Sequence, residues 1–262
     1  MVNIYDELLA LSSRITSSEA KLAACEARLT KLETPPVVVP PPSKLGLVSY
    51  FRSTALWDKV IAAKPAVCMI NPGSGPGLSA DSLYVGLVPK VQGAGLTVYG
   101  YVHSKGPTGY GTRPLADVKA DILNHIAWYG VKGIFIDCTS NDPVHLPYYT
   151  DLCSFVRSKG CKVVLNCGTK TYEGLAKIAD WLCVVETDAM TYSTIARPSW
   201  EANYSNLWHM IHSCAIADMP RIVALAKQRK AGLITVTNDV MANPYDTLPV
   251  YLDALVAELN RP

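Results

Sequence analysis

Eight short apolar segments, separated by helical patterns, constrain the fold of this chain more than any other feature of its sequence. They occupy residues 45–51, 66–72, 96–102, 133–138, 162–168, 181–187, 207–213 and 232–239. Short apolar runs are typical of parallel strands that are covered on both faces. Their alternation with helices over residues 45–262 predicts an α/β protein with a (β/α)8 barrel, the TIM-barrel fold. An open doubly wound sheet is the alternative, although no G-x-G-x-x-G motif follows the first predicted strand.

Residues 1–33 precede the predicted barrel and carry a heptad repeat. Its positions a and d are occupied by Leu8, Leu11, Ile15, Ser18, Leu22, Cys25, Leu29 and Leu32. An apolar period of 3.5 residues is the pattern of a coiled coil, so we predict an oligomerisation helix that associates through residues 4–33. A single amphipathic helix that lies on the barrel is the alternative.

Charged residues at positions g and e of this repeat predict how the helices associate. In a parallel bundle the facing pairs are all opposite in sign, namely Arg14–Glu19, Lys21–Glu26 and Arg28–Glu33. Such pairs favour parallel chains in register. The stretch RLTKLE at residues 28–33 also resembles a short signature of parallel trimers, so we expect a homotrimer rather than a dimer.

Residues 34–44 form the third predicted segment, a proline-rich linker. The stretch TPPVVVPPPS contains five prolines in ten residues, which ends a helix and favours extended polyproline II structure. A linker of this composition is a semi-rigid spacer. We therefore expect it to hold the barrel, residues 45–262, away from the coiled coil.

Composition excludes several classes of function. The net charge is +2 and no long basic run occurs, so we expect no nucleic-acid partner. No apolar run is long enough to span a membrane, and the N-terminus lacks the basic start of a signal peptide. The eight cysteines include no C-x-x-C pair and lie mostly in apolar runs. We expect reduced, structural thiols, no metal site and no cofactor.

Polar residues end nearly every predicted strand, where the active sites of this barrel type lie. Glycosidases generally use two carboxylates, and Asp137 and Glu186 are the candidate catalytic pair. The candidate substrate-binding residues are Tyr50, Asn71, Tyr101, His103, Asn166, Asp188, His212 and Asp239. Any single one of these polar residues could instead cap the helix that follows its strand.

Other chemistries fit the same residues less well. Cys138 with His103 or His212 is conceivable as a nucleophilic pair, but a cysteine at a strand end is more often inert. A metal site formed by the two histidines and Asp137 would lack any close ligand spacing. The glycine-rich stretch NPGSGPG at residues 71–77 lacks the Lys-Ser/Thr of a phosphate-binding loop. We interpret it as a shaped loop at the barrel mouth.

Five stretches resemble a known family. They are MINPGSGPG (69–77), VYGYVHS (98–104), ILNHIAWYGVKGIFID (122–137), VVLNCGT (163–169) and ADWLCVVET (179–187). Together they resemble the spherulin-4-like domain of spherulation-specific family 4. The resemblance implies a (β/α)8 barrel related to glycoside hydrolases, some of which cleave α-1,4-linked galactosamine polymers.

The resemblance also implies roles for individual residues. The family pattern has Asp-Glu after strand four and a further Glu at the end of strand six. Asp137 matches the first acid and Glu186 matches the acid of strand six, whereas Cys138 stands where the second acid is expected. Loss of a carboxylate that acts as acid or nucleophile would remove most of the rate, so weak or absent catalysis is the alternative to ordinary catalysis.

The three predicted segments suggest a phage minor tail or receptor-binding protein. Such a protein is made in the host cytoplasm, resides in the virion tail, and binds host cell-surface or cell-wall polysaccharide. A trimeric stalk would raise avidity for a repetitive glycan, and its N-terminus could dock onto other tail proteins. The alternatives are a free-standing glycosidase that acts on an α-linked amino-sugar polymer, a catalytically inactive adhesin, and a purely structural tail component.

Overall fold

The computed structural model describes residues 3–33 and 42–261, in two compact units that divide between Pro40 and Pro41. The described part of the first unit is one helix, α1 (Ile4–Glu33), so the predicted helix is confirmed. Leu8, Leu11, Ile15 and Leu22 of its heptad repeat are between 52% and 62% exposed. The coiled coil itself requires further chains and stays a prediction. Most of the predicted linker, residues 34–41, lies outside the described residues.

The second unit alternates strands and helices. Its strands are β1 (Lys44–Leu45), β2 (Cys68–Ile70), β3 (Val98–His103), β4 (Gly133–Asp137), β5 (Lys162–Asn166), β6 (Trp181–Asp188), β7 (Leu207–His212) and β8 (Leu233–Val236). Its helices are α2 (Thr54–Ala63), α3 (Ser82–Gly93), α4 (Leu115–Tyr129), α5 (Leu146–Ser158), α6 (Glu173–Ile178), α7 (Ala189–Thr194), α8 (Met219–Gln228) and α9 (Leu252–Leu259). No helix in the described ranges has the length and apolarity of a membrane span.

All eight strands are parallel and belong to one sheet, in the order β1-β8-β7-β6-β5-β4-β3-β2. The two ends of this sheet are also joined. Gly46 forms a parallel bridge with Val67, and the Leu47 amide donates to the Val67 carbonyl at 2.9 Å. The predicted α/β fold with eight sequential strands is therefore confirmed as that of a TIM-like barrel, and the open doubly wound sheet is wrong.

Side chains of alternate strand residues fill the inside of the barrel, while the others pack against the helices. The interior cluster includes Met69, Tyr99, Phe135 and Trp208, all of which are fully buried. The rings of Phe135 and Trp208 meet edge to face at 5.9 Å. A Cβ atom on Gly46 would lie 2.6 Å from the Trp208 ring, so only glycine fits beside this indole.

The first predicted strand differs most from the structure, because β1 has only two residues. After the closing bridge at Gly46, the chain turns toward the loop that follows β8. The Tyr50 amide donates there to the Tyr245 carbonyl at 3.0 Å. The polar residues at the end of the predicted strand 45–51 are therefore held by a loop rather than by a neighbouring strand.

A buried ion pair fixes the segment that follows α7. Arg197 donates two hydrogen bonds to Glu201, at 2.6 and 2.9 Å, and their side chains are only 8% and 3% exposed. The same guanidinium donates to the Val184 carbonyl of β6 at 2.6 Å. Because water cannot replace Glu201 at this depth, the loss of its charge would leave Arg197 uncompensated.

We expect Glu201→Gln to lower the free energy of unfolding by about 3 kcal/mol or more, because one partner of a buried pair is removed. The measurement is urea-induced unfolding of both proteins. Asp58→Asn is the matched control, since Asp58 pairs with Lys90 at the surface, where both side chains are more than half exposed. Equal effects of the two substitutions would contradict the prediction.

Candidate active site

The two candidate catalytic carboxylates are brought together at the carboxyl end of the sheet. Asp137 ends β4, Asn166 ends β5, and Glu186 lies near the end of β6. These strands are neighbours in the sheet, so the three side chains meet. The Asn166 amide nitrogen donates to Asp137 Oδ1 at 2.8 Å and to Glu186 Oε2 at 3.3 Å. One buried amide therefore bridges both carboxylates.

Three tyrosines surround this pair. The Tyr101 hydroxyl donates to Asp137 Oδ2 at 2.7 Å, so both Asp137 oxygens accept a hydrogen bond. The Tyr50 ring meets the rings of Tyr101 and Tyr245 edge to face, at 5.7 and 6.2 Å. Tyr50, Tyr245 and the two carboxylates line a pocket of about 140 Å³. The predicted residues Tyr50, Tyr101 and Asn166 thus belong to one site with the acids.

The pKa of Glu186 is raised above its ordinary value. Burial is the largest cause, and the nearby charge of Asp137 acts in the same direction. The Asn166 amide and the neighbouring Tyr245 hydroxyl oppose the rise. A carboxyl group with a raised pKa retains its proton to higher pH, which is what a general acid requires.

Gly168 allows Glu186 to occupy this position. Its φ of +62° lies in the left-handed region, and its carbonyl accepts a hydrogen bond from the Glu186 amide at 2.8 Å. A Cβ atom at Gly168 would lie only 3.3 Å from Glu186 Oε2. Glycine at this turn therefore lets the backbone approach the carboxylate closely.

Cys138 lies at the same mouth as Asp137, because β4 has already ended. Its φ of +55° breaks the alternation of side chains along a strand, and its thiol interacts with Tyr110 and Asp137. Burial and the charge of Asp137 raise the pKa of the Cys138 thiol to about 11. The thiol is therefore protonated near neutral pH, which argues against a nucleophilic cysteine.

Asn71 is the first residue of the NPGSGPG loop, and His103 lines a cavity together with that loop. Asn71 Oδ1 accepts a hydrogen bond from the Gly75 amide at 3.1 Å and so shapes that loop. His103 is opposite Asp137 in the register of β3 and β4, and it lines a second cavity that adjoins the loop. Burial lowers the pKa of His103, and the charge of Arg113 acts in the same direction.

The remaining three candidates are engaged in local structure. Asp188 caps the N-terminus of α7, where its Oδ1 accepts a hydrogen bond from the Thr191 backbone amide at 2.9 Å. Aspartate is a favoured residue at this helix position. His212 lies next to the Ser213 hydroxyl, 2.9 Å from its Nδ1. Asp239 Oδ1 accepts a hydrogen bond from the side-chain amide of Asn238 at 3.0 Å. Their predicted contact with substrate stays a prediction.

Sequence reasoning missed Tyr245, whose ring forms one wall of the pocket. Its hydroxyl lies beside Glu186 without meeting hydrogen-bond geometry with any described atom. Tyr245 lies in the loop after β8 and not at the end of a strand, where the sequence pattern places the candidate residues. The turn signal of Asn243 and Pro244 marks that loop but gives no indication that it folds over the mouth.

No group of three or more histidine, cysteine or acidic residues in the described ranges is arranged to hold a metal ion. A TIM-like barrel with two carboxylates bridged at its carboxyl end defines the class of glycoside-hydrolase-like barrels.

The comparisons with known proteins identify the family. Spherulation-specific family 4 matches residues 47–259 of this chain. Spherulin-4 of Physarum polycephalum is 34% identical in an alignment of 231 residues, and the match covers 80% of this chain and 68% of that protein. The chain belongs to spherulation-specific family 4.

Solved structures agree with this assignment. The crystal structure of Aspergillus clavatus Sph3 in complex with GalNAc has a TM-score of 0.72 at 25% identity, over 84% of this chain and 98% of that one. A class V chitinase from Pseudomonas fluorescens has a TM-score of 0.58 at 9% identity, over 83% of this chain and all of the other. The chitinase likeness concerns the fold alone.

We expect Asn166→Ala to raise the pKa of Glu186 further, because the amide that opposes the rise is lost. The measurement is a carboxyl-carbon NMR titration of the labelled protein. Asn141→Ala is the control, since the Asn141 amide donates to the Lys170 carbonyl and not to the acids. An unchanged or lowered Glu186 pKa in Asn166→Ala would contradict the prediction.

Proposed function

We propose that this barrel binds a hexosamine-containing polysaccharide at its mouth and hydrolyses its glycosidic bonds. The observation that carries the proposal is the Asn166 amide, which holds Asp137 and Glu186 at one small pocket. The GalNAc in the crystal structure of Sph3 supports an amino sugar as the ligand. By family resemblance, α-1,4-linked galactosamine polymer is the first substrate to test.

The two acids take different roles in this proposal. Glu186, with its raised pKa, donates a proton to the oxygen of the glycosidic bond as that bond breaks. Asp137 stays close to the sugar carbon from which the leaving group departs, and its charge stabilises the positive charge that develops there. Water then forms the new bond to this carbon and gives its proton to one of the two carboxylates. Tyr101 and Asn166 orient the Asp137 carboxylate for this role.

Tyr50 and Tyr245 supply the apolar contacts of the pocket. Both rings line it beside the acids. Sugar rings have apolar faces that pack against aromatic side chains, while their hydroxyl groups need polar partners. A pocket lined by both tyrosines and carboxylates offers both kinds of contact.

A catalytically inactive adhesin is the second candidate, and Cys138 favours it. The thiol occupies the position where the family pattern has its second acid, and it remains protonated near neutral pH. If that acid is essential, the pocket still binds the glycan but no longer hydrolyses it. In the hydrolysis proposed above, Cys138 instead takes no part.

The setting on a phage tail is a separate proposal that rests on the sequence pattern of α1. The exposed heptad side chains and the complementary g and e charges support a parallel trimer. A trimer would present three barrels to a repetitive surface polysaccharide and raise avidity without new contacts. A free-standing glycosidase would need no such helix.

We expect the native protein to release reducing ends from α-1,4-galactosamine polymer. Glu186→Gln should lower this rate by about 10²- to 10⁴-fold, the usual contribution of a general acid, and Asp137→Asn should also abolish most of it. The rate should fall as the pH rises through the raised pKa of Glu186, because only the protonated form donates.

Cys138→Ser is the matched control for both carboxylate variants and should keep the native rate. Binding of the polymer without release by the native protein would favour the adhesin. Absence of both binding and release would contradict the proposed function altogether.

We expect sedimentation of the full chain to give a molecular mass three times that of one chain. Leu22→Lys should yield monomers, because it introduces a charge at a heptad position a. Ala20→Lys, on the outer side of the same repeat, should leave the trimer intact. A native protein that sediments as a monomer would contradict the coiled coil and remove the support for the tail setting.

A further inference from the structure

One fully buried histidine of the barrel has no role in the reaction described so far. His125 lies on α4, and its side chain is completely shielded from solvent. The other buried residues of this helix, Val118, Ile122 and Tyr129, follow at the spacing of one helix face. An imidazole on this largely apolar face costs free energy unless it forms a hydrogen bond. The partner of that hydrogen bond therefore indicates what His125 contributes.

The middle of β3 is shaped to admit the His125 ring. Gly100 lies inside this strand, and a Cβ atom on it would lie only 2.5 Å from His125 Cγ. Glycine weakens the interior of a strand, and it often marks the close approach of another group. Gly100 thus allows the imidazole to reach the backbone of β3.

The imidazole donates a hydrogen bond to the backbone of Tyr101. His125 Nε2 lies 2.7 Å from the Tyr101 carbonyl oxygen, which can only accept, so Nε2 carries the hydrogen. Burial lowers the pKa of His125 to about 4, so the ring is neutral near neutral pH and its Nδ1 carries no proton. Within the described residues Nδ1 has no hydrogen-bond partner, so the bond to Tyr101 is the one that offsets burial of the ring.

This hydrogen bond falls where β3 loses a neighbouring strand. β2 pairs with β3 only as far as Gly100, whereas β4 pairs with β3 through His103. Tyr101 is the first residue past the pairing with β2. The His125 ring therefore holds the Tyr101 carbonyl from the helix side at a point where the sheet supports β3 less.

The side chain of Tyr101 in turn contacts a candidate catalytic carboxylate. Its hydroxyl donates to Asp137 Oδ2 at 2.7 Å, and its ring packs against Phe135 with the centroids 6.1 Å apart. A rigid ring transmits a shift of its backbone to its hydroxyl group. Misplacement by about 1 Å can lower a catalysed rate about 100-fold. His125 is thus connected to Asp137 through a single residue.

We propose that His125 is a positioning residue, whose neutral imidazole holds the Tyr101 backbone so that the Tyr101 hydroxyl stays on Asp137. The inference rests on the proposed function, in which Asp137 stabilises the charge that develops on the sugar. It makes the reaction depend on a group of α4, in the helix layer outside the strand ends.

His125→Met and His125→Gln form a matched pair, because their new side chains have the same length and only the amide can donate a hydrogen bond. We expect His125→Met to lower kcat for release of reducing ends from α-1,4-galactosamine polymer by at least about tenfold, with KM changed by less than about twofold. His125→Gln should restore most of the native kcat. Equal kcat values for the two variants would overturn the inference.

Tyr101→Phe, which removes the hydroxyl, tests whether the effect passes through Tyr101. In this background His125→Met should lower kcat by less than about a further twofold, because the contact that it supports is already absent. A full effect of His125→Met in the Tyr101→Phe protein would place its cause elsewhere and contradict the proposed role.

His209→Met separates positioning from a loss of stability. His209 is also fully buried, and its Nδ1 lies 2.7 Å from the Tyr192 hydroxyl. Both methionine variants should lower the free energy of unfolding in urea, since each leaves a buried polar group unpaired. His209→Met should nevertheless keep the native kcat. A comparable fall of kcat in both variants would assign the effect to stability and overturn the inference.

The Tyr101 hydroxyl can also be observed without turnover. In protein with isotope-labelled tyrosine, the NMR signal of Tyr101 Cζ, assigned by its loss in Tyr101→Phe, should shift in His125→Met and return in His125→Gln. If this signal responds to His125 while the native protein hydrolyses no polymer, the proposed function fails and the positioning of Tyr101 stands. If His125→Met leaves the signal in place while the native protein hydrolyses polymer, the inference fails and the proposed function stands.

Discussion

The structure depends on closure of the parallel sheet between β1 and β2, the strands at its two ends. Backbone hydrogen bonds between the segment after β1 and the residue before β2 join these ends. In a closed parallel sheet all carboxyl ends lie at one mouth, so polar residues that are far apart in the chain become neighbours. Asp137, Asn166 and Glu186 meet for this reason, since their strands are adjacent in the sheet.

Closure also explains the electrostatics of the site. Apolar side chains such as Phe135 and Met210 line the carboxylate pocket together with the acids, and the Glu186 carboxyl there is desolvated. Burial raises the pKa of Glu186, whereas Asp137 accepts hydrogen bonds on both oxygens. The same barrel end thus gives the two carboxylates different surroundings, as the different roles proposed for them require.

Cys138 illustrates how a single backbone angle decides a side-chain position. Had β4 continued, its thiol would have pointed away from Asp137. The left-handed φ at this residue turns it into the mouth instead. The thiol therefore lies at the same mouth as the Asp137 carboxylate. The bridge between Asp137 and Glu186 is built without it.

The sequence by itself determined the eight strands, their parallel class and the acids at two strand ends, because apolar period and chain order are local properties. It also marked the heptad repeat of α1, although association of that helix depends on other chains. Only the tertiary structure decided that Asn166 bridges the acids and that Tyr245 reaches the pocket. These outcomes depend on strand neighbours and loop paths, which join residues distant in sequence and leave no periodic signal in it.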